Sequence, residues 1–246
     1  MVTIRCHNRL FEGIEAVIFD KDGTLAHSES FLRHLAQRRA RLVDAQVPGV
    51  EAPLLLAFGV EDGWINPAGL IAVATRLEDE IAAAAYVAET GRGWIESLSL
   101  VRSAFTEADK PIARKAEHTP LMPGSLAFIR RLATAQLKLA VLSSDSALNV
   151  RDFLRCYELE PYFQAACGVS EHHLTKTDAG LLSQMFERLA VLPEQTLIIG
   201  YSHSDIDVAN QAKLAGCIGY TGGWTTTVNL STADVVVADF DQIEIL

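Results

Sequence analysis

Residues Ala16–Phe19 (AVIF) are four apolar residues without a polar break, and they run straight into Asp20-Lys21-Asp22-Gly23-Thr24. A strand that is apolar on both sides must be covered on both sides, which is the situation inside a parallel sheet flanked by helices. The same pattern returns at 137–142 (LKLAVL), 197–199 (LII) and 234–237 (DVVV). Amphipathic segments separate the later runs. Leu126, Ile129 and Leu132 share one face of 125–135, and Leu181, Leu182, Met185, Phe186 and Leu189 share one face of 178–190. Strand alternating with helix predicts an α/β fold, a doubly wound, Rossmann-like parallel sheet.

The first run ends at residue 19 and the second begins at residue 137. A connection from a strand to its helix is normally a few residues plus the helix itself. The intervening sequence reads as helix throughout: FLRHLAQRRARLVDAQ, then GLIAVATRLEDEIAAAAYVAE, then GWIESLSLVRSAFTEAD. An insertion of this length must fold as a unit of its own. Turn chemistry marks its edges, Gly23-Thr24 on one side and Pro120 with Pro123-Gly124 on the other. The expected organisation is an α/β core made of residues 1–25 and 119–246, with an α-helical cap domain of residues 26–118 inserted into it.

Composition narrows the partners. The 31 acidic residues exceed the 21 basic ones, giving a formal charge of −10, which repels nucleic acid and anionic membranes. Neither is expected as a partner. No run of 18 apolar residues occurs, and the richest stretch, IAAAAYVA at 81–88, is too short to cross a bilayer. The N-terminus, MVTIRCHNRLFEG, lacks the apolar core and small-residue cleavage site of a secretory leader. Cys6, Cys156, Cys167 and Cys217 show no C-x-x-C spacing, which favours buried free thiols over a zinc site or disulfides. A cytoplasmic protein is expected, as a monomer or a homodimer.

Ligands of open α/β sheets bind beyond the carboxyl ends of the strands, and the chemically promising residues fall there. Asp20 and Asp22 are two apart, followed by a glycine that lets the chain turn sharply. If the strand relaxes after Asp20, both carboxylates face one pocket, where one can attack and the other can move protons. Ser143-Ser144-Asp145-Ser146 follows the second run and is expected to open a helix, whose free N–H groups and hydroxyls suit an anion. Lys176 precedes the next amphipathic segment. Gly200-Tyr201-Ser202-His203-Ser204-Asp205-Ile206-Asp207 follows the strand at 197–199.

In this order, each at a strand end, these residues resemble the haloacid dehalogenase superfamily, and the resemblance extends from about Ala16 to Val237. Its first motif, an apolar strand followed by D-x-D-G-T, is matched in full by Asp20-Lys21-Asp22-Gly23-Thr24. The resemblance implies that Asp20 is the nucleophile that forms an aspartyl-phosphate and Asp22 the general acid/base. It implies substrate contacts from Thr24, Ser143, Ser144 and Lys176, the lysine neutralising phosphate charge. The insertion is similar to the helical C1-type cap of the phosphoglycolate phosphatase-like subgroup. The implied activity is a Mg²⁺-dependent phosphatase acting on a small phosphomonoester, for which a phosphoglycolate-like ester is the candidate the subgroup suggests. The alternative is a catalytically impaired member that binds a phosphorylated ligand or a protein partner.

The last motif departs from the family pattern. A strand followed by G-D-x-x-x-D would supply the metal carboxylates, but Tyr201 stands where the first Asp belongs, and only Asp205 matches the second. The expected Mg²⁺ ligands are Asp20, Asp22 through its backbone carbonyl, and Asp205. Asp205 and Asp207 are two apart, so on a helix only one of them reaches the metal.

Overall fold

A computed structural model of the chain describes residues 1–61, 63–112, 114–170 and 175–246. The chain opens with a hairpin, β1 (Val2–Cys6) and β2 (Arg9–Ile14), before the apolar run forms β3 (Ala16–Phe19). All four residues of β3 are buried, as an apolar run with no polar alternation requires. The core resumes with α6 (Ser125–Thr134), after an excursion through the cap described below. It continues through β6 (Lys138–Ser146), α7 (Ala147–Cys156), β7 (Phe163–Val169), α8 (Ala179–Leu189), β8 (Thr196–Gly200), α9 (His203–Ala212), β9 (Gly216–Tyr220) and β10 (Val235–Val237). Six of these strands form one parallel sheet in the order β10-β9-β8-β3-β6-β7. The last strand, β11 (Ile243–Ile245), pairs antiparallel with β1.

The strand order makes β3 the point where the winding reverses, with β6 on one side and β8 on the other. Phe19 is in register with Val141 of β6 and with Ile199 of β8. β3 ends there, and its next residue, Asp20, emerges between its two neighbouring strands, at the crevice where this fold class binds ligands. On one face of the sheet Phe19 meets Phe128 and Phe163 edge-on, with centroids 6.0 and 6.1 Å apart. On the other, Ile18 packs with Leu182, Met185 and Ile198.

Among its described residues the insertion has five α-helices: α1 (Glu29–Asp44), α2 (Glu51–Phe58), α3 (Leu70–Val73), α4 (Arg76–Glu89) and α5 (Trp94–Asp109). A two-residue ribbon, β4 (Val60–Glu61) and β5 (Trp64–Ile65), joins α2 to α3. The cap has its own apolar cluster, including Leu54, Phe58, Val101 and Phe105, which is separate from the two clusters flanking the sheet. Its outgoing and returning chains run side by side: the His27 N–H donates to the Pro120 carbonyl at 2.7 Å and the Met122 N–H to the Leu25 carbonyl at 2.8 Å. Among the described residues no helix is long and apolar enough to cross a membrane.

Three features depart from the expectations. β7 (FQAACGV) and β9 (GCIGY) are built from small residues and glycine, so they lack the Val/Ile density that marks the other strands. The terminal sheet β11-β1-β2 was not expected either. The third departure bears on chemistry: β6 continues through Ser146 and α7 starts at Ala147. Ser143 and Ser144 therefore lie at a strand end, not at a helix N-terminus, and the helix is capped by Ser146, which accepts from the Asn149 N–H at 3.2 Å.

Gly23 turns the chain after β3 with φ +74°, and a Cβ there would lie 2.5 Å from the indole nitrogen of Trp224. Gly23→Ala should lose about 1–2 kcal/mol from the left-handed backbone and more from displacing the indole. Gly13→Ala has a similar φ of +71° but open space around it, so it should lose the backbone part alone. Urea midpoints of the two variants test this; equal losses would mean the indole contact carries no stability.

Candidate active site

The carboxylate of Asp20 leaves the end of β3 only 4% exposed. Its backbone N–H donates to the Ile199 carbonyl at 2.9 Å, which fixes the side chain over the crevice. Lys176, also buried, places its Nζ between two carboxylates: 3.3 Å from Asp20 Oδ1 and 2.7 Å from Asp205 Oδ1. Asp205 has no exposed surface. Its second oxygen accepts from the Ser202 N–H at 3.0 Å and the Ser202 hydroxyl at 2.6 Å. Asp207 is exposed, on a neighbouring cavity of about 670 Å³ with His203. Of the two acids, Asp205 is the one beside Asp20, consistent with their spacing.

Asp22 belongs to a second cluster that motif reasoning did not find. Two ammoniums alternate with two carboxylates. Lys21 Nζ lies 2.7 Å from Asp22 Oδ2 and 3.0 Å from Asp145, and Lys115 Nζ lies 3.0 Å from Asp22 Oδ2 and 2.7 Å from Asp145. The Ser28 hydroxyl donates to the other oxygen of Asp22, and the Asn149 amide donates to Asp145 at 2.8 Å. Lys21 is nearly sealed, with its ammonium 5.7 Å above the Phe153 ring. Lys115 comes from the segment that returns from the cap, and its ammonium is 5.5 Å from the Phe31 ring on α1. In sequence each of these lysines is a lone cation at a turn, which normally marks a solvated surface; no short-range pattern separates them from one.

Burial and charge act differently on the two candidate acids. Desolvation raises Asp20 to about 7, opposed by Lys176 and reinforced by Asp205 and Asp22. Burial pushes Asp22 the same way, but Lys115 and Lys21 outweigh it and hold its carboxyl below the usual range. Asp145 is likewise held below the usual range by the same two lysines, against burial. One carboxylate is thus costly to ionise and its neighbour costly to protonate.

Asp20, Asp22, Ser143, Ser144, Lys115 and Lys176 all open onto one cavity of about 940 Å³ between core and cap. Ser143 Oγ accepts from the Asp145 N–H at 3.1 Å, which leaves its hydroxyl proton for a ligand. Thr24 is elsewhere: it is fully buried beneath the turn, not on the cavity wall, and its hydroxyl has no partner among the described residues. Tyr201 is buried too, but its ring stacks obliquely with Trp224 at 4.8 Å and its hydroxyl donates to the Ala72 carbonyl of the cap. Burial and the nearby carboxylates push its phenol well above 10, so it remains a neutral donor. Among the described residues no three His, Cys, Asp or Glu side chains are grouped as a ready-made metal cage.

The Asp20 shift has a measurable consequence. A carboxyl raised to about 7 from 3.8 binds more protons folded than unfolded between those values, so its contribution to stability is lost as pH rises through about 7. Asp20→Asn removes that loss. In EDTA the variant should melt above the wild type at pH 8, by roughly 2–4 °C or more, and the gap should shrink at pH 5. An equal gap at both pH values would remove the burial argument.

A family model described as haloacid dehalogenase-like hydrolase matches residues 14–213. Over 237 residues the chain is 24% identical to a phosphoglycolate phosphatase of Escherichia coli, covering 95% of this chain and 92% of that protein. A phosphoglycolate phosphatase of Salmonella typhimurium is 25% identical over 244 residues, with coverage of 94% and 92%. Among solved structures, a predicted phosphoglycolate phosphatase from Haemophilus somnus superposes with a TM-score of 0.67 at 20% identity, covering 93% of this chain and 95% of that one. A haloacid dehalogenase-like hydrolase from Streptococcus pneumoniae gives 0.61 at 18% identity, with coverage of 94% and 96%. With the acid pair after β3, the lysine at 176 and the inserted helical cap, the match over most of the chain is decisive: this protein belongs to the haloacid dehalogenase-like hydrolase family.

Proposed function

We propose that the protein is a phosphatase that hydrolyses a small phosphomonoester through an aspartyl-phosphate on Asp20. The observation that carries this reading is the arrangement around that carboxylate: Asp20 at a strand end, Lys176 3.3 Å away, and Asp22 on the same cavity wall. One Asp20 oxygen attacks phosphorus and the P–O bond to the leaving group breaks. Lys176, Lys115 and the Ser143 hydroxyl stabilise the charge that gathers on the phosphoryl oxygens. Asp22 donates a proton to the departing alkoxide, then takes one from the water that attacks the acyl-phosphate and frees Asp20 and phosphate. A phosphate dianion against Lys115 competes for the charge that holds Asp22 ionised, and so raises the proton affinity of Asp22 as the acid step requires. Residues 26–118 are the cap and close over residues 1–25 and 119–246, excluding bulk water from the acyl-phosphate. Buried free thiols suit a cytoplasmic setting.

The family implies Mg²⁺, and the residues fit it in one way. Four carboxylates (Asp20, Asp22, Asp145, Asp205) face three ammoniums (Lys21, Lys115, Lys176), so a phosphate dianion entering here needs added positive charge. Mg²⁺ keeps several waters and uses one or two carboxylates plus substrate phosphate. The Asp20 carboxylate, the Asp22 carbonyl and Asp205 would hold it, with the substrate completing its shell. When bound it supplies charge neutralisation at the phosphoryl oxygens. Tyr201 contributes nothing to that shell. A second reading, favoured by the commitment of Tyr201 to the cap, is a protein that binds a phosphorylated ligand without turning it over.

Turnover of p-nitrophenyl phosphate with Mg²⁺, abolished by EDTA, separates the two. Asp20→Asn should lose at least about 10³-fold in kcat and form no trapped acyl-phosphate; wild-type turnover in the variant would end the nucleophile assignment. Tyr201→Asp should increase the Mg²⁺-dependent rise in melting temperature, because a second carboxylate beside a dication is favourable in a partly dry pocket. No change in metal response would mean that position 201 does not face the metal.

A further inference from the structure

Helix α1 starts at the proposed general acid and runs along the cap wall of the cavity. Ser28, its N-cap, donates its hydroxyl to Asp22. Phe31 and Leu35, four apart and so on one face of the helix, line the cavity, and Arg39 follows one turn later. At about 1.5 Å per residue, Leu35 lies about 10 Å along the axis from Ser28 and Arg39 about 16 Å. Phe31 is held beside the acid. Its ring stacks on His118 at 6.2 Å and faces Lys115 Nζ at 5.5 Å, and that ammonium is 3.0 Å from Asp22 Oδ2. α3, packed against α1, adds Val73 to the same cavity. On the core side Leu148, in the first turn of α7, lines the cavity and is 76% exposed. Leu35 and Leu148 belong to none of the three apolar clusters. The charged groups further along the wall are occupied with one another: Arg39 pairs with Asp79 and Asp109, Arg76 with Asp109 and Glu80, and Arg102 with Glu80.

We propose that Phe31, Leu35, Val73 and Leu148 form the leaving-group pocket, and that it selects the phosphate ester of an apolar alcohol, alkyl or aryl, over a polyol or a carboxylated leaving group. The oxygen that departs must lie within hydrogen-bond reach of Asp22 to take its proton, so the carbon bonded to it emerges beside Phe31. From there α1 presents Phe31 and Leu35 before its first charged cavity residue, Arg39. An apolar chain on this path takes its own surface and that of Leu35 and Leu148 out of water, which is favourable. A polyol would give up water from its hydroxyls against side chains that return no hydrogen bond. A carboxylate would meet no free cation on this path, since Arg114 is committed to Asp152 at 2.8 Å and Arg155 to Glu160 at 3.4 Å. It would have to turn towards Arg151, exposed on α7. The cavity, at about 940 Å³, has room for a chain of several carbons.

The pocket rests on the phosphatase reading, and binding separates the two. Asp20→Asn protein with Mg²⁺ is titrated calorimetrically with methyl, propyl and pentyl phosphates, glycerol phosphate and phosphoglycolate, which share one phosphate and differ only in what leaves. Affinity should rise about two- to fourfold for each methylene along the alkyl series, and propyl phosphate should bind more tightly than glycerol phosphate, its hydroxylated counterpart. Adding Leu35→Ser or Leu148→Ser should flatten the rise and leave the affinity for methyl phosphate unchanged. Leu148 is exposed, so its variant keeps the fold even if Leu35→Ser does not. A rise that survives in Leu148→Ser and in folded Leu35→Ser places the chain elsewhere and overturns the pocket. Flat affinity along the series, or glycerol phosphate binding as tightly as propyl phosphate, overturns it too. Tightest binding of phosphoglycolate, lost in Arg151→Ala, does the same. The rise with chain length without turnover of any ester by the wild type would sink the phosphatase reading alone. Turnover of p-nitrophenyl phosphate without the rise would sink the pocket alone, and no binding of any ester would sink both.

Discussion

A single ammonium, Lys176 Nζ, lies between two carboxylates that have almost no access to water, and the architecture around it serves to make that burial tolerable. An unpaired buried charge would shift its pKa until it was neutral. Here the ammonium is held charged against burial by Asp20 and Asp205, while Asp205 is in turn held by two donors from Ser202. Such a network requires three loops to meet at one point. The parallel sheet provides this, because β3 and β8 end in register and the segment before α8 delivers the lysine from a third direction. The fold is the cause of the site in this literal sense: reversing the winding at β3 creates the crevice, and the crevice collects the charges.

The cap completes the enclosure through contacts that the core itself supplies. Tyr201, at the end of β8, donates to the Ala72 carbonyl, and its ring belongs to the cap's apolar cluster together with Trp224. Beyond Trp224, Thr225 donates to Glu29 through its backbone at 2.8 Å and through its hydroxyl at 2.6 Å, and the Thr226 hydroxyl donates to the Ile65 carbonyl at 2.9 Å. The loop after β9 thus lies against both the Gly23 turn and the cap. Gly223 makes this possible, since a Cβ there would fall 1.9 Å from the Gly23 carbonyl oxygen. A residue that family logic assigns to metal binding has become part of the cap's footing.

What the sequence discloses follows the range of the interaction. β3, β6 and β8 are legible because each is a local apolar run, and Asp20 and Asp22 because they are two apart in one motif. The insertion is legible from its length and helical periodicity. Lys21, Lys115 and Asp145 are different: their meaning comes from a square of charges drawn from three separate segments, and nothing within a dozen residues of Lys115 signals Asp22. Thr24 shows the converse error, since a motif position carries no information about which way its side chain turns. The Arg39–Asp79 pair, 40 residues apart on two cap helices, is invisible to any periodicity, because both residues occupy positions that would otherwise read as solvated helix faces.

The two halves of the cavity differ in the kind of electrostatic problem they solve. At the core end, burial raises the proton affinity of Asp20, with Asp205 and Asp22 adding to it against Lys176, and four carboxylates face three ammoniums. At the cap end, Arg39, Arg76 and Arg102 are matched by Asp79, Asp109 and Glu80, yet burial still raises the Asp79 carboxyl to about 7 against the pull of Arg39, so pairing alone does not cancel the cost of taking a charge out of water.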